Sequence, residues 1–524
     1  MEKHVKYPIG LQDFQGLIED GYLYVDKTGI LYDLVSRGSK YVFLSRPRRF
    51  GKSLTLSTLK AFFEGKRELF KGLAVFDLEK EWKKHPVFLL SFARFERRNE
   101  KSLENILEFY LQNWEKEYGI APGEANFANR FAALINKSVE ITGERAVVLI
   151  DEYDSALVST LEDKELHEHT RAILKPLYTV LKDLDSHIRF TLITGITRFS
   201  RMTIFSGLNN IQDISLDAEF GAICGITQKE LETYFPEGIS KIGHYYSLNE
   251  NECFQKLKSY YDGYHFTDCG PDIYNPFSIL NALNRSRLGN YWFATGIPTF
   301  IVESMKIRDI DIEKYMNQTA DENLLKEADS AYDSDLAILF QAGFLTIKAY
   351  DKEENLYKLG IPNREVKEGM SRLFMEKFLK PDINEGTNII VDLGICLREG
   401  NPEKFLKILK EFFAGVPFDM SKGNKEVYFH NAFYIVTNLL GLRVQTERHT
   451  SSGSIDLVIT TANYVYGIEI KLNKPAQVAL QQIETKEYAL PWSVEERKLF
   501  KIGVSFSSET RNLSEWIISE NTAE

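Results

Sequence analysis

The sequence predicts an α/β protein in three parts: a parallel-sheet domain at 1–220, a largely helical region at 221–420, and an α-β-β-β-α-β domain at 421–524. Three observations carry the prediction. In the N-terminal part, short apolar runs stop abruptly at polar residues, as buried parallel strands do. Helical spacing dominates the middle, interrupted by aromatic-rich turns. The C-terminal part alternates β-like runs with Ser-, Gly- and Asn-containing turns.

The first of these runs, Tyr41-Val42-Phe43-Leu44, leads into Ser45-Arg46-Pro47-Arg48-Arg49-Phe50-Gly51-Lys52-Ser53, and a helix-compatible segment follows from Leu54 to Phe63. A strand, a loop and a helix N-terminus in that order present backbone N–H groups and a helix dipole to a phosphate chain. The residues Arg46, Pro47, Arg48, Arg49, Phe50, Gly51, Lys52, Ser53 and Leu54 form the expected nucleotide cradle. Lys52 would reach the terminal phosphates, and Ser53 would ligate Mg²⁺. One position departs from the G-x-x-x-x-G-K-[ST] pattern: Arg46 stands where Gly is usual.

Upstream, Tyr24-Val25-Asp26-Lys27-Thr28 reads as a β-like opening and a polar cap for a helix over Gly29–Ser36, placed where it can form a lip over a nucleotide base. Downstream, Pro86–Phe92 suits a buried strand, and Leu103, Ile106, Leu107, Tyr110, Leu111 and Trp114 recur at helical spacing. Ala146–Ile150 then runs into Asp151-Glu152-Tyr153-Asp154. An acidic pair after a strand is a common turn. Behind a Gly-Lys-Ser loop it reads as Asp151 holding Mg²⁺ through water and Glu152 polarising the attacking water. A further strand, Ile188–Ile193, ends in Thr194-Gly195-Ile196-Thr197-Arg198. Thr194 is placed to sense the γ-phosphate, and Arg198 or Arg201 to stabilise charge on the transferring phosphoryl group. The extra strand between the two nucleotide motifs indicates an additional-strand ATPase rather than a kinase.

The middle region contains Tyr260-Tyr261-Asp262-Gly263-Tyr264, Tyr274-Asn275-Pro276-Phe277 and Tyr291–Gly296. Exposed, such aromatics would stack on bases; buried, they are core. Leu336–Ile347 reads as helix, Gly cap and strand, with a hairpin to Tyr357–Leu359, a small winged-helix-like unit. Residues 365–420 read as helical.

The last part begins with an amphipathic helix over Glu426–Leu440. Strands follow at Leu442–Glu447, Ile455–Thr460 and Tyr464–Leu472, then a helix at Gln477–Tyr488 and a strand at Lys501–Phe506. Residues i and i+2 of a strand share a face, so Glu469 and Lys471 point the same way. Asp456 and Glu469 would hold Mg²⁺, Lys471 would orient or deprotonate water, Glu426 could add a carboxylate, and Gln482 could reach the same place.

The net charge of −11 excludes a wholly basic nucleic-acid coat protein, so any nucleic-acid contact must come from local patches. The content of 44% apolar and 27% charged residues supports real cores. The four cysteines, Cys224, Cys253, Cys269 and Cys396, show no metal or disulfide spacing, which fits reduced cytoplasmic thiols. The N-terminus has no secretory h-region, and no run of about 18 apolar residues suggests a membrane span.

Together these residues resemble the bacterial and archaeal AAA-ATPase-like proteins that end in a PD-(D/E)XK nuclease domain. The resemblance covers nearly the whole chain. It rests on Arg46–Ser53, Asp151–Asp154, Phe205–Asn210, Tyr261–Tyr264, and Asp456 with Glu469-Ile470-Lys471. It implies that Arg46 is the family's own form of the loop, and that Ile455 replaces the Pro often found before the first acid. It further implies a restriction-endonuclease-like last domain, ATP binding and hydrolysis coupled to a Mg²⁺-dependent nuclease, and DNA as the expected nucleic acid. A role in defence against mobile DNA follows only by association. The alternative is an ATP-driven switch whose nuclease-like domain binds nucleic acid without cutting it. A homo-oligomer or a regulatory partner is compatible with either.

Overall fold

The computed structural model describes residues 5–93, 101–121, 126–160, 163–198, 205, 208, 210–293, 318–326, 335–374, 383–414, 436, 443–450, 453–485, 497–510 and 512–521. The chain divides into two compact units, Met1–Ile307 with Tyr315–Val366, and Arg308–Lys314 with Lys367–Glu524. The middle region expected at 221–420 therefore contributes to both.

The first unit is built on a five-stranded sheet. Its strands are β1 (Tyr41–Ser45), β2 (Val87–Ser91), β3 (Ala146–Asp151), β4 (Ile188–Gly195) and β5 (Gln212–Asp213), in the order β2-β3-β4-β1-β5. Every neighbouring pair is parallel. The strand β4 thus lies between the strand that enters the phosphate loop and the strand that ends in Asp151. All five residues of β1 and all six of β3 are buried, which is why they read as unbroken apolar runs. Covering helices include α1 (Lys52–Phe63), α2 (Ser102–Glu117), α3 (Phe127–Thr142) and α4 (Lys164–Asp183). On one face, Phe88, Leu103, Leu107, Leu111, Phe131, Leu134 and Leu177 join Val148 and Ile150 in a single core.

The N-terminal arm packs beside α1. Asp13 caps the helix Phe14–Glu19 through Gly16 N, and Phe14 joins Ala61, Phe70 and Val75 in a second core. The helix expected from Gly29 begins at Thr28, whose N–H and hydroxyl both donate to Asp26 Oδ1.

Helices follow at Gln228–Tyr234, Pro236–Tyr246, Glu250–Tyr261 and Pro276–Arg285, and each except Pro236–Tyr246 starts at a side-chain cap (Thr227, Asn249 and Asn275). The aromatic motifs here are core: Tyr261, Tyr264 and Tyr274 are fully buried and Trp292 nearly so. Base stacking on exposed rings therefore has no place at these four positions. The helix Asp335–Gln341 leads through Gly343 into a hairpin of β6 (Thr346–Asp351) and β7 (Leu356–Gly360).

In the second unit, α5 (Ile383–Arg398) and α6 (Pro402–Ala414) precede a five-stranded sheet. Its strands β8 (Arg443–Thr450), β9 (Gly453–Thr460), β10 (Tyr464–Leu472), β11 (Lys498–Ser507) and β12 (Asn512–Asn521) lie in sequence order. The pair β10–β11 is parallel and the other pairs antiparallel. The helix α7 (Ala476–Thr485) makes the crossover that a parallel pair requires. The final strand β12 has no counterpart in the expected order. It pairs along nearly the whole of β11, and Asn512 and Trp516 bond to Lys410 O and Glu403 Oε2 of α6. The expected helix over Glu426–Leu440 lies outside the described residues, apart from a buried Val436.

Candidate functional sites

In the first unit, Gly51 has φ 99° and forms the N-cap of α1. Only Gly adopts that left-handed geometry freely, and it turns the loop into the helix with the first N–H groups exposed to an anion. Lys52 is 6% exposed, and its Nζ donates to Arg46 O (2.9 Å) and Pro47 O (3.0 Å) across the loop. Burial holds its pKa below the ordinary lysine value, opposed by the nearby carboxylates of Asp151, Glu152 and Asp154. An incoming phosphate would give this buried ammonium a directly bonded anion, where it now bonds backbone carbonyls.

The parallel sheet then brings three strand ends together. Ser53 Oγ donates to Asp151 Oδ2 at 2.6 Å, and Thr194 Oγ1 donates to Asp151 Oδ1 at 2.8 Å. Asp151 is thus held by both hydroxyls, one from the end of β4 and one from the first turn of α1. Such oxygens are the hard donors that Mg²⁺ prefers, so Ser53 and Asp151 fit that ion. Glu152 follows with φ 50° and lines the cavity. Burial raises its pKa; Lys52 opposes the rise, while Asp151 and Asp154 add to it.

A cavity of about 380 Å³ opens on this cluster. The loop residues Arg48, Arg49, Phe50, Gly51, Lys52, Ser53 and Leu54 line it together with Glu152. Leu11, Leu23, Tyr24, Val25, Pro276, Phe277 and Leu280 also line it. The arm expected to form a lip is therefore part of the wall. Lys27, also on the wall, donates to both carboxylate oxygens of Glu230 at 2.6 and 2.7 Å.

Other loop residues are placed differently. Arg46 is 1% exposed, and its guanidinium donates to Ser45 O, Ser215 O and Phe220 O and stacks 4.3 Å from the Phe266 ring. Burial lowers its pKa to about 10. Its side chain braces the loop from behind. Pro47 lies against Gly343, and Trp292 Nε1 donates to Arg48 O at 3.2 Å. Phe50 packs edge-on against Tyr264 and Phe266. Arg198 is buried beneath the strand ends, where Nε donates to Ser45 Oγ (3.0 Å) and lies 3.5 Å from Asp213 Oδ2. Its Nη1 has no hydrogen-bond partner among the described residues. Arg201 lies outside the described residues.

In the second unit, Asp456 on β9 and Glu469 on β10 interlock. Asp456 N donates to Glu469 Oε2 (3.3 Å), and Ile470 N donates to Asp456 Oδ2 (2.8 Å). Lys471 Nζ donates to Glu469 Oε1 at 2.8 Å. Glu469 is 1% exposed, and burial raises its pKa, with the Asp456 charge adding to the rise and Lys471 opposing it. Two carboxylates facing one ammonium leave a net negative charge that attracts a cation, and their oxygens are hard donors, so the set fits Mg²⁺. Glu426 lies outside the described residues, and Gln482 sits on α7.

Comparison with known proteins decides the family. A model described as "Predicted AAA-ATPase" matches residues 8–205, and a model of the PD-(D/E)XK nuclease superfamily matches residues 424–516. A protein of Azotobacter chroococcum mcd 1, named "Uncharacterized protein in vnfD 5'region", is 35% identical over 524 residues, covering 98% of both chains. The chain belongs to this family of AAA-ATPase-like proteins with a C-terminal PD-(D/E)XK nuclease superfamily domain. Among the described residues, no helix is long and apolar enough to cross a membrane.

Local spacing assigns Asp154 no role. It is 3% exposed, and its Oδ2 accepts from Ile196 N, Thr197 N and Thr197 Oγ1. The sequence signal was its place in the same acidic turn as Asp151 and Glu152.

Proposed function

We propose that the chain binds and hydrolyses ATP at Lys52, Ser53, Asp151 and Glu152, and that this turnover is coupled to Mg²⁺-dependent phosphodiester cleavage of DNA at Asp456, Glu469 and Lys471. One observation carries the reading: each unit sets carboxylate oxygens beside a lysine at the end of a buried strand.

At the first site, the loop amides and Lys52 would bind the phosphates, and Ser53 and Asp151 would hold Mg²⁺. Glu152 would orient water and accept its proton, a task suited to a carboxylate of raised pKa. Thr194, bonded to Asp151, would register the γ-phosphate through that contact. The apolar lining residues of the cavity, Leu23, Val25, Phe277 and Leu280 among them, suit the base.

At the second site, bound Mg²⁺ would polarise the phosphodiester and lower the pKa of a bound water. Asp456 and Glu469 would hold the ion. Lys471 would steady Glu469 and orient water toward phosphorus.

The test is cleavage of linear and single-stranded DNA by the full chain, with and without Mg²⁺ and ATP. Cutting that needs Mg²⁺ and responds to ATP is expected. ATP turnover with no cutting on any substrate would contradict the nuclease half and favour the switch alternative.

A further inference from the structure

The acidic turn after β3 and the polar turn after β4 are joined more heavily than strand pairing requires. Tyr153 N donates to Thr194 O at 3.0 Å, and Tyr153 Oη donates to Thr197 O at 3.0 Å. Asp154 Oδ2 accepts from Ile196 N (3.1 Å), Thr197 N (2.7 Å) and Thr197 Oγ1 (2.6 Å). The two turns also touch face to face. A Cβ at Gly195 would stand 2.6 Å from the Tyr153 ring and 2.7 Å from Asp154 Oδ1, so only Gly fits there.

A buried carboxylate is costly unless hydrogen bonds or a cation compensate it. Among the described residues no Lys or Arg forms an ion pair with Asp154, and the compensation comes from the turn after β4. Between the fixed points lies Glu152, at φ 50°. A left-handed glutamate persists only where its surroundings over-determine it. On its N-terminal side Asp151 is bonded by Ser53 and Thr194, and on its C-terminal side Tyr153 and Asp154 are bonded to residues 194–197.

We propose that Asp154 is a positioning residue for phosphoryl transfer: it locks the Glu152 turn to the Thr194–Thr197 turn, so that the water-orienting carboxylate and the γ-phosphate sensor are held as one body. This inference rests on the ATPase reading above. Asp154 acts through Glu152 and Thr194 and needs no contact with the nucleotide.

The test compares wild type, Asp154→Ala, Asp154→Asn, Glu152→Gln and the double variant Glu152→Gln/Asp154→Ala in the full-length chain. ATP turnover, and binding of a non-hydrolysable ATP analogue by calorimetry, are measured for each. Asp154→Ala should lower kcat about tenfold or more, because small misplacements of a reacting group are costly. Its affinity for the analogue should stay within about threefold of wild type, since binding rests on Lys52 and the loop amides. Asp154→Asn keeps an oxygen acceptor for the two N–H groups and should give a kcat between wild type and Asp154→Ala. The double variant should be slower than Glu152→Gln alone by much less than the product of the two single effects, because part of the effect passes through that residue.

Wild-type kcat in Asp154→Ala, or a double variant slower by the product of the two single effects, would overturn the proposal while leaving the ATPase reading intact. A wild type without ATP turnover would overturn both. If Asp154→Ala does not fold, Asp154→Asn carries the test: reduced kcat at unchanged analogue affinity supports the proposal, and wild-type kcat overturns it.

Discussion

The two candidate sites solve the same electrostatic problem by different means. In the first unit the metal-type acid, Asp151, is held by neutral donors, the hydroxyls of Ser53 and Thr194, while its lysine is occupied by backbone carbonyls. In the second unit the acid Glu469 is held by charge: Lys471 bonds it directly and Asp456 repels it. The first arrangement leaves a buried ammonium seeking an anion, and the second leaves a buried carboxylate pair seeking a cation. Strand geometry explains the difference. Three parallel strand ends converge from distant stretches of chain, whereas Glu469 and Lys471 are two residues apart on one strand face.

The largest expected effect tests the separateness of the sites. Lys52→Ala should lower ATP turnover by about 10²-fold or more, and Glu469→Ala should lower DNA cutting by a similar factor. ATPase and nuclease assays on both variants check this. Glu152→Gln comes next: turnover should fall by about 10²-fold while calorimetry shows ATP still bound.

A smaller effect sharpens the contrast between hydroxyl-held and charge-held acids. With its pKa raised, Glu469 carries a proton at a pH where an ordinary glutamate would be ionised. Cutting should therefore fall on acidification at a higher pH than a free carboxylate dictates. Higher Mg²⁺ should move that fall to lower pH, because metal and proton compete for the same oxygens. A pH–rate profile at two Mg²⁺ concentrations reads it.

The smallest effect concerns stability. Asp262, in the Tyr261–Tyr264 motif, is buried, and burial pushes its pKa up to about 6; Asp272 adds to the rise, while Lys258 and Lys348 oppose it. A carboxyl raised in the folded state stabilises the fold fully below its unfolded pKa, and that stability is lost as pH rises through about 6. Asp262→Asn should raise Tm by about 2 °C or more at pH 8 and by less at pH 5, measured by thermal melting.

The elements legible in the sequence were those with a motif at their end. The strands β1 and β3 each pair an unbroken apolar run with a polar tip, β4 ends in a polar tip although Arg189 and Thr191 interrupt its run, and the sheet order agrees with the additional-strand pattern. The strand β10 was legible from Tyr464 to Leu472 because a turn bounds it at each end. The strand β12 was not read, although Trp516-Ile517-Ile518 carries a β-type signal. No motif follows it, and its pairing with β11 is a tertiary fact. Side-chain direction was the other gap. Arg46 belongs to the loop motif, yet its guanidinium caps carbonyls behind the loop, which local spacing does not specify. The role of Asp154 is not legible locally, because its partners, Ile196 and Thr197, are more than 40 residues away along the chain.

The most direct measurement is a crossed assay: ATP turnover and Mg²⁺-dependent DNA cutting, each on wild type, Lys52→Ala and Glu469→Ala. The account predicts that Glu469→Ala turns over ATP like wild type and does not cut, while Lys52→Ala neither turns over ATP nor shows ATP-dependent cutting. Cutting that survives Glu469→Ala, or turnover that survives Lys52→Ala, would contradict it.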